Sequence, residues 1–342
     1  LSWNNFKWFV GVVEDRHDPE KVGRLRVRCL GIHTSNKNAL PTADLPWASC
    51  VLPTTSAGIS GLGQSPSFIV EGAWVWGYFR DGEQEPVVIG TLPGKPSELG
   101  NPNSGFYDPN RRSEDDTLDD YNISVYPRNN AEPDTNRLAV NNPDKEAGSL
   151  TARKASRITG VPTADFDAVG NNITASDTDT WNQPEIAYNA VYPYNHVFES
   201  ESGHVKEYDD SFIIDEDGNR INHYRIYERH VSGTSTEMTN NGDRIDIITN
   251  DHYTLTSNNN KAYIQCNSDI TIDGRHKVYI NKDGEENNHY DIQVRPNANV
   301  NIQVDNGNLN VVTKTGQFNF DVGSDFNVNV GGDYNLTVQV IK

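Results

Sequence analysis

The chain has 342 residues, enough for two or three compact units. Its net charge of −19 repels phosphate and puts nucleic-acid binding at a disadvantage, and a hydrophobic content of 35% argues against a single large core. That leaves disorder or a thin, repetitive fold that buries little per residue.

The charge is unevenly placed: −1 over residues 1–100, −7 over 101–190 and −11 over 191–342. Cys29, Cys50 and Cys266 are too few and too irregularly spaced for a disulfide framework or a zinc site, which suggests folding in a reducing cytoplasm. The early apolar run Trp8–Val13 is too short for a signal peptide, and no stretch reaches the roughly 18 apolar residues of a membrane span.

Residues 1–100 read as short strands between turns. Trp8–Val13 is a buried-strand run. Arg24–Leu30 alternates with period two, placing Leu25, Val27 and Cys29 on one face and Arg24, Arg26 and Arg28 on the other as a small basic patch. Trp47–Leu52, Ala73–Phe79 and Pro86–Leu92 complete five strands, with turns at Asp18-Pro19, Gly61-Leu62-Gly63 and Asp81-Gly82. Five short strands without a helical period predict a small closed barrel of the oligonucleotide/oligosaccharide-binding (OB) type.

Residues 101–190 are rich in Asn, Asp, Pro, Ser and Thr, with scattered large apolar residues and acidic clusters at Asp115-Asp116 and Asp119-Asp120. Such a stretch cannot offset its ordering entropy by burial and is predicted to be an extended or partly disordered linker.

From Val191 the strand-and-turn pattern resumes, punctuated by Asp217-Gly218, Asn241-Gly242, Asp273-Gly274 and Asp283-Gly284. Its end is a true repeat: Asn301, Asn310, Asn319, Asn327 and Asn335 each lie between apolar residues, at steps of 9, 9, 8 and 8. A unit of that size is one strand and one turn. Its apolar residues share a face, and a lone chain has nothing to bury that face against. Stacking copies of the unit on itself, or winding several chains together, would bury it, with Leu309, Phe318, Phe326 and Tyr334 as the expected interior.

Catalytic and metal-binding patterns are missing. Gly58-Ile59-Ser60-Gly61-Leu62 lacks the last glycine of a nucleophile elbow and reads as a barrel loop. Asp215-Glu216-Asp217-Gly218-Asn219 has its glycine early for a calcium loop and Ile226 where a glutamate is required, so it reads as a hairpin turn. The nine histidines are dispersed. No catalytic residue, metal ligand or cofactor is expected.

A family resemblance rests on several stretches. Trp8–Arg16, Gly23–Arg28 and Leu45-Pro46-Trp47 resemble the N-terminal barrel of the central-spike (tail-associated lysozyme) proteins in the baseplates of T-even-type contractile phages. Tyr192–Val197, Glu199–Val205 and Arg229–Thr234 resemble the start of that family's spike, with Tyr192, Pro193, Glu199, Ser202, Gly203 and His204 as its motif residues. The valine–glycine-repeat spike of type VI secretion is similar there.

The resemblance implies a homotrimer whose three C-terminal arms wind into one triple-stranded β-helical needle. It also implies a trimeric baseplate hub as partner, a tip protein on the needle, and contact with the host outer envelope on sheath contraction. The best-known members hold a lysozyme domain between barrel and needle. Here that interval is the Asn/Asp-rich stretch, and a glycosidase needs two carboxyl groups held at fixed separation. Muramidase activity is therefore not carried over.

The expected organisation is an all-β chain: an OB barrel over 1–100, a linker over 101–190 and a β-helical needle over 191–342. The expected function is a non-enzymatic baseplate spike of the virion, assembled in the host cytoplasm, with no nucleic-acid partner. The competing readings are a peptidoglycan hydrolase with an unrecognised site and a secretion-type spike carrying effectors.

Overall fold

The computed structural model describes residues 7–64, 67–95, 104–106, 111–112, 128–129, 133–141, 188–268, 270, 272, 274–280 and 289–337. The fold is all-β: no α-helix occurs among the described residues, and none is long and apolar enough to cross a membrane. The chain divides into two units, Leu1–Thr271 and Ile272–Lys342. The expected boundary at 190/191 is not where the units part. Most of the expected linker lies outside the described residues.

The five expected barrel strands all form: β1 (Lys7–Asp15), β2 (Leu25–Cys29), β3 (Trp47–Cys50), β4 (Trp74–Phe79) and β5 (Pro86–Thr91). They close in the order β1-β2-β3-β5-β4, antiparallel except for β3 beside β5. Closure leaves no sheet edge to be capped. The alternation that predicted β2 is real: Leu25, Val27 and Cys29 are buried and join Phe9, Val13, Ala48, Val75, Phe79 and Val88 in one core. Phe9 and Phe79 pack ring to ring at 5.0 Å.

Gly77 makes the β1–β4–β5 corner possible. A Cβ there would lie 2.0 Å from the Val87 carbonyl oxygen and 2.7 Å from the Phe9 ring. The β4–β5 register shifts at this point, between Trp76 and Gly77.

The basic patch expected on β2 does not exist as a free surface. Arg28 is fully buried. Its Nε and Nη2 donate to the Glu14 carboxylate at 2.6 and 3.1 Å, and its remaining donors reach the Thr34 and Leu40 carbonyls at 2.7 and 2.8 Å. Arg24 donates to Asp18 at 2.7 Å. Arg26 donates to the Thr42 carbonyl at 2.9 Å and lies 4.5 Å over the Trp47 ring. Alternation placed these side chains correctly on the outer face, but their partners come from elsewhere in the chain. The segment Ser104–Phe106 covers this face: the Gly105 N–H donates to the Ser35 carbonyl at 2.7 Å, and Phe106 stacks on Trp74 at 6.0 Å.

Two short pieces, β6 (Arg111–Arg112) and β7 (Arg128–Asn129), pair in parallel. Then follow β8 (Asn195–Glu199), β9 (Val205–Asp209), β10 (Phe212–Ile214), β11 (Arg220–Asn222), β12 (Arg225–Arg229), β13 (Ser235–Met238) and β14 (Arg244–Ile247). β14-β13-β12-β9-β8 form one antiparallel sheet, with β10-β11 as a separate hairpin between β9 and β12.

The tight hairpin corners share one construction. In Ser200–His204, Asp215–Asn219, His230–Thr234 and Thr239–Asp243 the first and fifth residues hydrogen-bond, and the fourth is glycine at positive φ donating back to the first. This is the three-residue hairpin loop whose left-handed position favours glycine. The turn readings at Asp217-Gly218 and Asn241-Gly242 agree with it.

Candidate functional site

Two features could carry function: the start of the hairpin sheet and the C-terminal repeat. In the sheet, β8, β9, β12 and β13 turn one face inward, and that face is mostly polar. Asn195, Glu207, Asp209, Arg225, Arg229, Ser235 and Glu237 are all buried. Arg225 is the hub: its Nε donates to Glu237, its Nη1 lies 3.3 Å from Glu207, and its guanidinium rests 4.1 Å over Tyr227. Asn195 Nδ2 donates to Glu207 at 2.9 Å and to the Leu138 carbonyl at 3.2 Å, and the Tyr188 hydroxyl donates to the same carbonyl at 2.7 Å. Burial is the main cause that raises the Glu207 carboxyl and the Tyr188 hydroxyl above their ordinary pKa ranges.

The motif residues of the spike start sit around the first hairpin of this sheet. Glu199 ends β8 and accepts from Asn136 Nδ2 at 2.7 Å. Ser202 and Gly203 form the loop, with the Gly203 carbonyl accepting from Arg229 Nη2 at 3.1 Å. The His204 backbone N–H donates to Ser200 Oγ, its Nδ1 accepts from the Val231 N–H at 3.3 Å, and its ring meets His230 at 4.6 Å. Most of this set therefore builds corners. Tyr192 and Pro193 instead line an open cleft of about 480 Å³ with His196, Phe198, Tyr208 and Asn136.

The sheet's outer face holds residues the sequence did not reveal. Ile226 pairs with Tyr208 on one side and Met238 on the other, giving an exposed apolar row across three strands. Tyr208 lies between Glu207 and Asp209, Ile226 follows Arg225 and Met238 follows Glu237, and only the strand register aligns them.

In the C-terminal unit, Leu309, Phe318, Phe326 and Tyr334 are all exposed, from 57% for Phe318 to 69% for Tyr334. The described residues of this unit contain no strand. Phe320 belongs with the set, lying 4.6 Å from the Phe318 ring and 5.5 Å from Phe326. The i, i+2 spacing of Phe318 and Phe320 already carried that signal. Glu114–Asp120, the acidic stretch in the interval where relatives are expected to hold a lysozyme, lies outside the described residues.

A closed OB-type barrel, a hairpin sheet and an apolar repeat define an all-β protein whose C-terminal unit is repetitive. The sequence model of the family described as Gp5 N-terminal OB domain matches residues 31–187. Protein Gp5 of Vibrio phage KVP40 is 34% identical over 308 residues, covering 82% of this chain and 66% of the relative. The pre-baseplate central spike protein Gp5 of Enterobacteria phage T4 is 46% identical over 112 residues, covering 31% of this chain and 20% of the relative. These matches support the resemblance to T-even-type central-spike proteins, and the chain spans under two thirds of the length of either relative.

Proposed function

We propose that the chain is the structural central spike of a contractile-phage tail baseplate, acting in the virion without catalysis of its own. The observation that carries this reading is the run of evenly spaced, solvent-exposed aromatics in the C-terminal unit. A protein does not keep such a stripe wet at no cost, because burying one aromatic side chain is worth about 1.5–3 kcal/mol. The same residues from three copies, wound about a common axis, would form a continuous dry interior and a stiff, hydrogen-bonded wall. The names of the relatives favour a phage tail over a secretion-type spike.

In this reading the barrel docks to a trimeric hub protein, the arm carries a tip protein, and sheath contraction drives the arm through the host outer envelope. Glu14, Asp18 and backbone carbonyls occupy the β2 arginines, which suits a protein partner better than nucleic acid.

Native mass spectrometry of the full chain tests the assembly. A species of three chains is expected, and a monomer at micromolar concentration refutes the needle. Zymography on peptidoglycan tests the absence of catalysis. Clearing that persists in purified protein and is lost on changing one carboxylate of residues 101–190 would make the protein a hydrolase.

A further inference from the structure

β1 ends at Asp15, and the chain turns sharply there. The His17 backbone N–H donates to Asp15 Oδ1 at 2.8 Å, which brings the imidazole Nδ1 to 3.1 Å from the same oxygen. Glu71, from the turn before β4, faces that nitrogen with Oε1 at 3.8 Å. One ring nitrogen and two carboxylate oxygens thus lie within 4.8 Å of one another. Ligands each about 2.1 Å from a shared ion stand roughly 3.0–3.4 Å apart, so the Asp15–His17 pair already has that spacing and the Glu71 oxygen must close in on it.

The outer oxygens are held from behind. Glu71 Oε2 lies 3.3 Å from Arg16 Nε, and Asp15 Oδ2 lies 3.7 Å from Arg26 Nε. The Arg16 backbone N–H also donates to Glu71 Oε1 at 3.2 Å. The closer guanidinium steadies the outer oxygen of Glu71, which is how outer partners orient metal ligands, while Arg26 acts on Asp15 through charge alone.

We propose that Asp15, His17 and Glu71 bind one divalent transition-metal ion, with Zn²⁺ as the reference case, at the rim of the barrel. The imidazole sets the class: an N-plus-carboxylate donor set suits Zn²⁺ and its transition-metal neighbours, whereas Mg²⁺ and Ca²⁺ take oxygen ligands. Water completes the coordination shell, and the exposed His17 ring lets the ion exchange with solvent. The two arginines lower the net charge of the site and keep affinity modest. Arg16 also forks onto Glu201, both contacts 2.8 Å, so the ion would sit beside the contact between the barrel and the first hairpin of the sheet. The residues escaped the sequence reading because Asp15 and His17 are joined by a carboxylate from a distant turn.

The test uses the full chain, dialysed against chelator and titrated with ZnCl₂ by isothermal calorimetry. His17→Ala and Glu71→Gln should each weaken one site per chain by at least about tenfold, and MgCl₂ should give no binding. Co²⁺ should produce visible d–d bands that His17→Ala abolishes. Circular dichroism confirms that the His17→Ala protein is folded, as expected for a surface side chain. Zn²⁺ binding that survives both substitutions, which would place the ion on Cys266 or other histidines, overturns the proposal. So does an absence of Zn²⁺ binding up to about 1 mM.

Discussion

The barrel and the C-terminal repeat are both strand-and-turn sequences with apolar residues at regular spacing, yet they end in opposite states. In the barrel, Leu25, Val27, Cys29, Val75 and Phe79 vanish into a core built by five strands of the same chain. In the repeat, Leu309, Phe318, Phe326 and Tyr334 stay exposed. The difference lies in how many distinct strands one chain can fold back on itself. Strands of varied length and turns of varied type let a sheet close. Near-identical units of eight or nine residues offer each strand only copies of itself as neighbours, and the proposed assembly would bury them against other chains. The barrel buries its own apolar residues, and the repeat leaves its own exposed.

The largest expected effect breaks that distinction at the repeat. Phe326→Asp would place three carboxylates in the proposed interior, where unpaired charge is prohibitive. Analytical ultracentrifugation should show a monomer where the parent is a trimer, while the near-ultraviolet circular dichroism of the barrel tryptophans stays unchanged. An unaltered trimer would remove Phe326 from the interior.

Arg28→Met attacks the barrel's self-sufficiency. It strands the buried Glu14 carboxylate and should cost about 3–5 kcal/mol in thermal unfolding of the barrel transition. Adding Glu14→Gln should recover part of the loss. A cost no larger in the single variant than in the double would show that the pair is not coupled.

Gly77→Ala is smaller, about 1–3 kcal/mol, because the new methyl must displace the Val87 carbonyl. Denaturant unfolding reads it, and no change in midpoint would mean the corner adapts freely.

Asp18→Asn should be the mildest, lowering stability at neutral pH and converging with the parent in acid. Arg24, together with the backbone N–H groups of Arg24, Glu20 and Val22, holds the Asp18 carboxyl well below the usual range. The folded state therefore releases this proton more readily than the unfolded chain. The stability it contributes is present above about pH 4 and is lost as pH falls from there toward the folded pKa. The variant should flatten that acid limb of a stability–pH profile, and an unchanged slope would assign it to other carboxylates.

The barrel strands were legible because burial there has period two and the chain supplies its own partners. The β2 arginines were read on the correct face but with the wrong consequence, since Glu14, Asp18 and the Thr34 and Leu40 carbonyls answer them from positions no periodicity links. The hairpin sheet was the least legible region. Its buried face carries Glu207, Asp209, Arg225 and Glu237, and a strand alternating between buried and exposed polar residues has no hydrophobic signature. Glycine loops at Gly218 and Gly242 showed as turns, whereas the apolar row Tyr208–Ile226–Met238 needed the register to appear.

The contact between Arg16 and Glu201 spans 185 positions of sequence with two hydrogen bonds, and Phe68 meets Phe198 edge-on at 5.0 Å nearby. The barrel and the first hairpin are thus joined directly rather than through the chain that connects them. Closing a flexible loop grows only slowly harder with its length, by about 0.6 kcal/mol for each doubling. Chain length between the two sides of this contact is consequently of little thermodynamic weight, and the register between barrel and hairpin is set by the Arg16–Glu201 and Phe68–Phe198 contacts themselves.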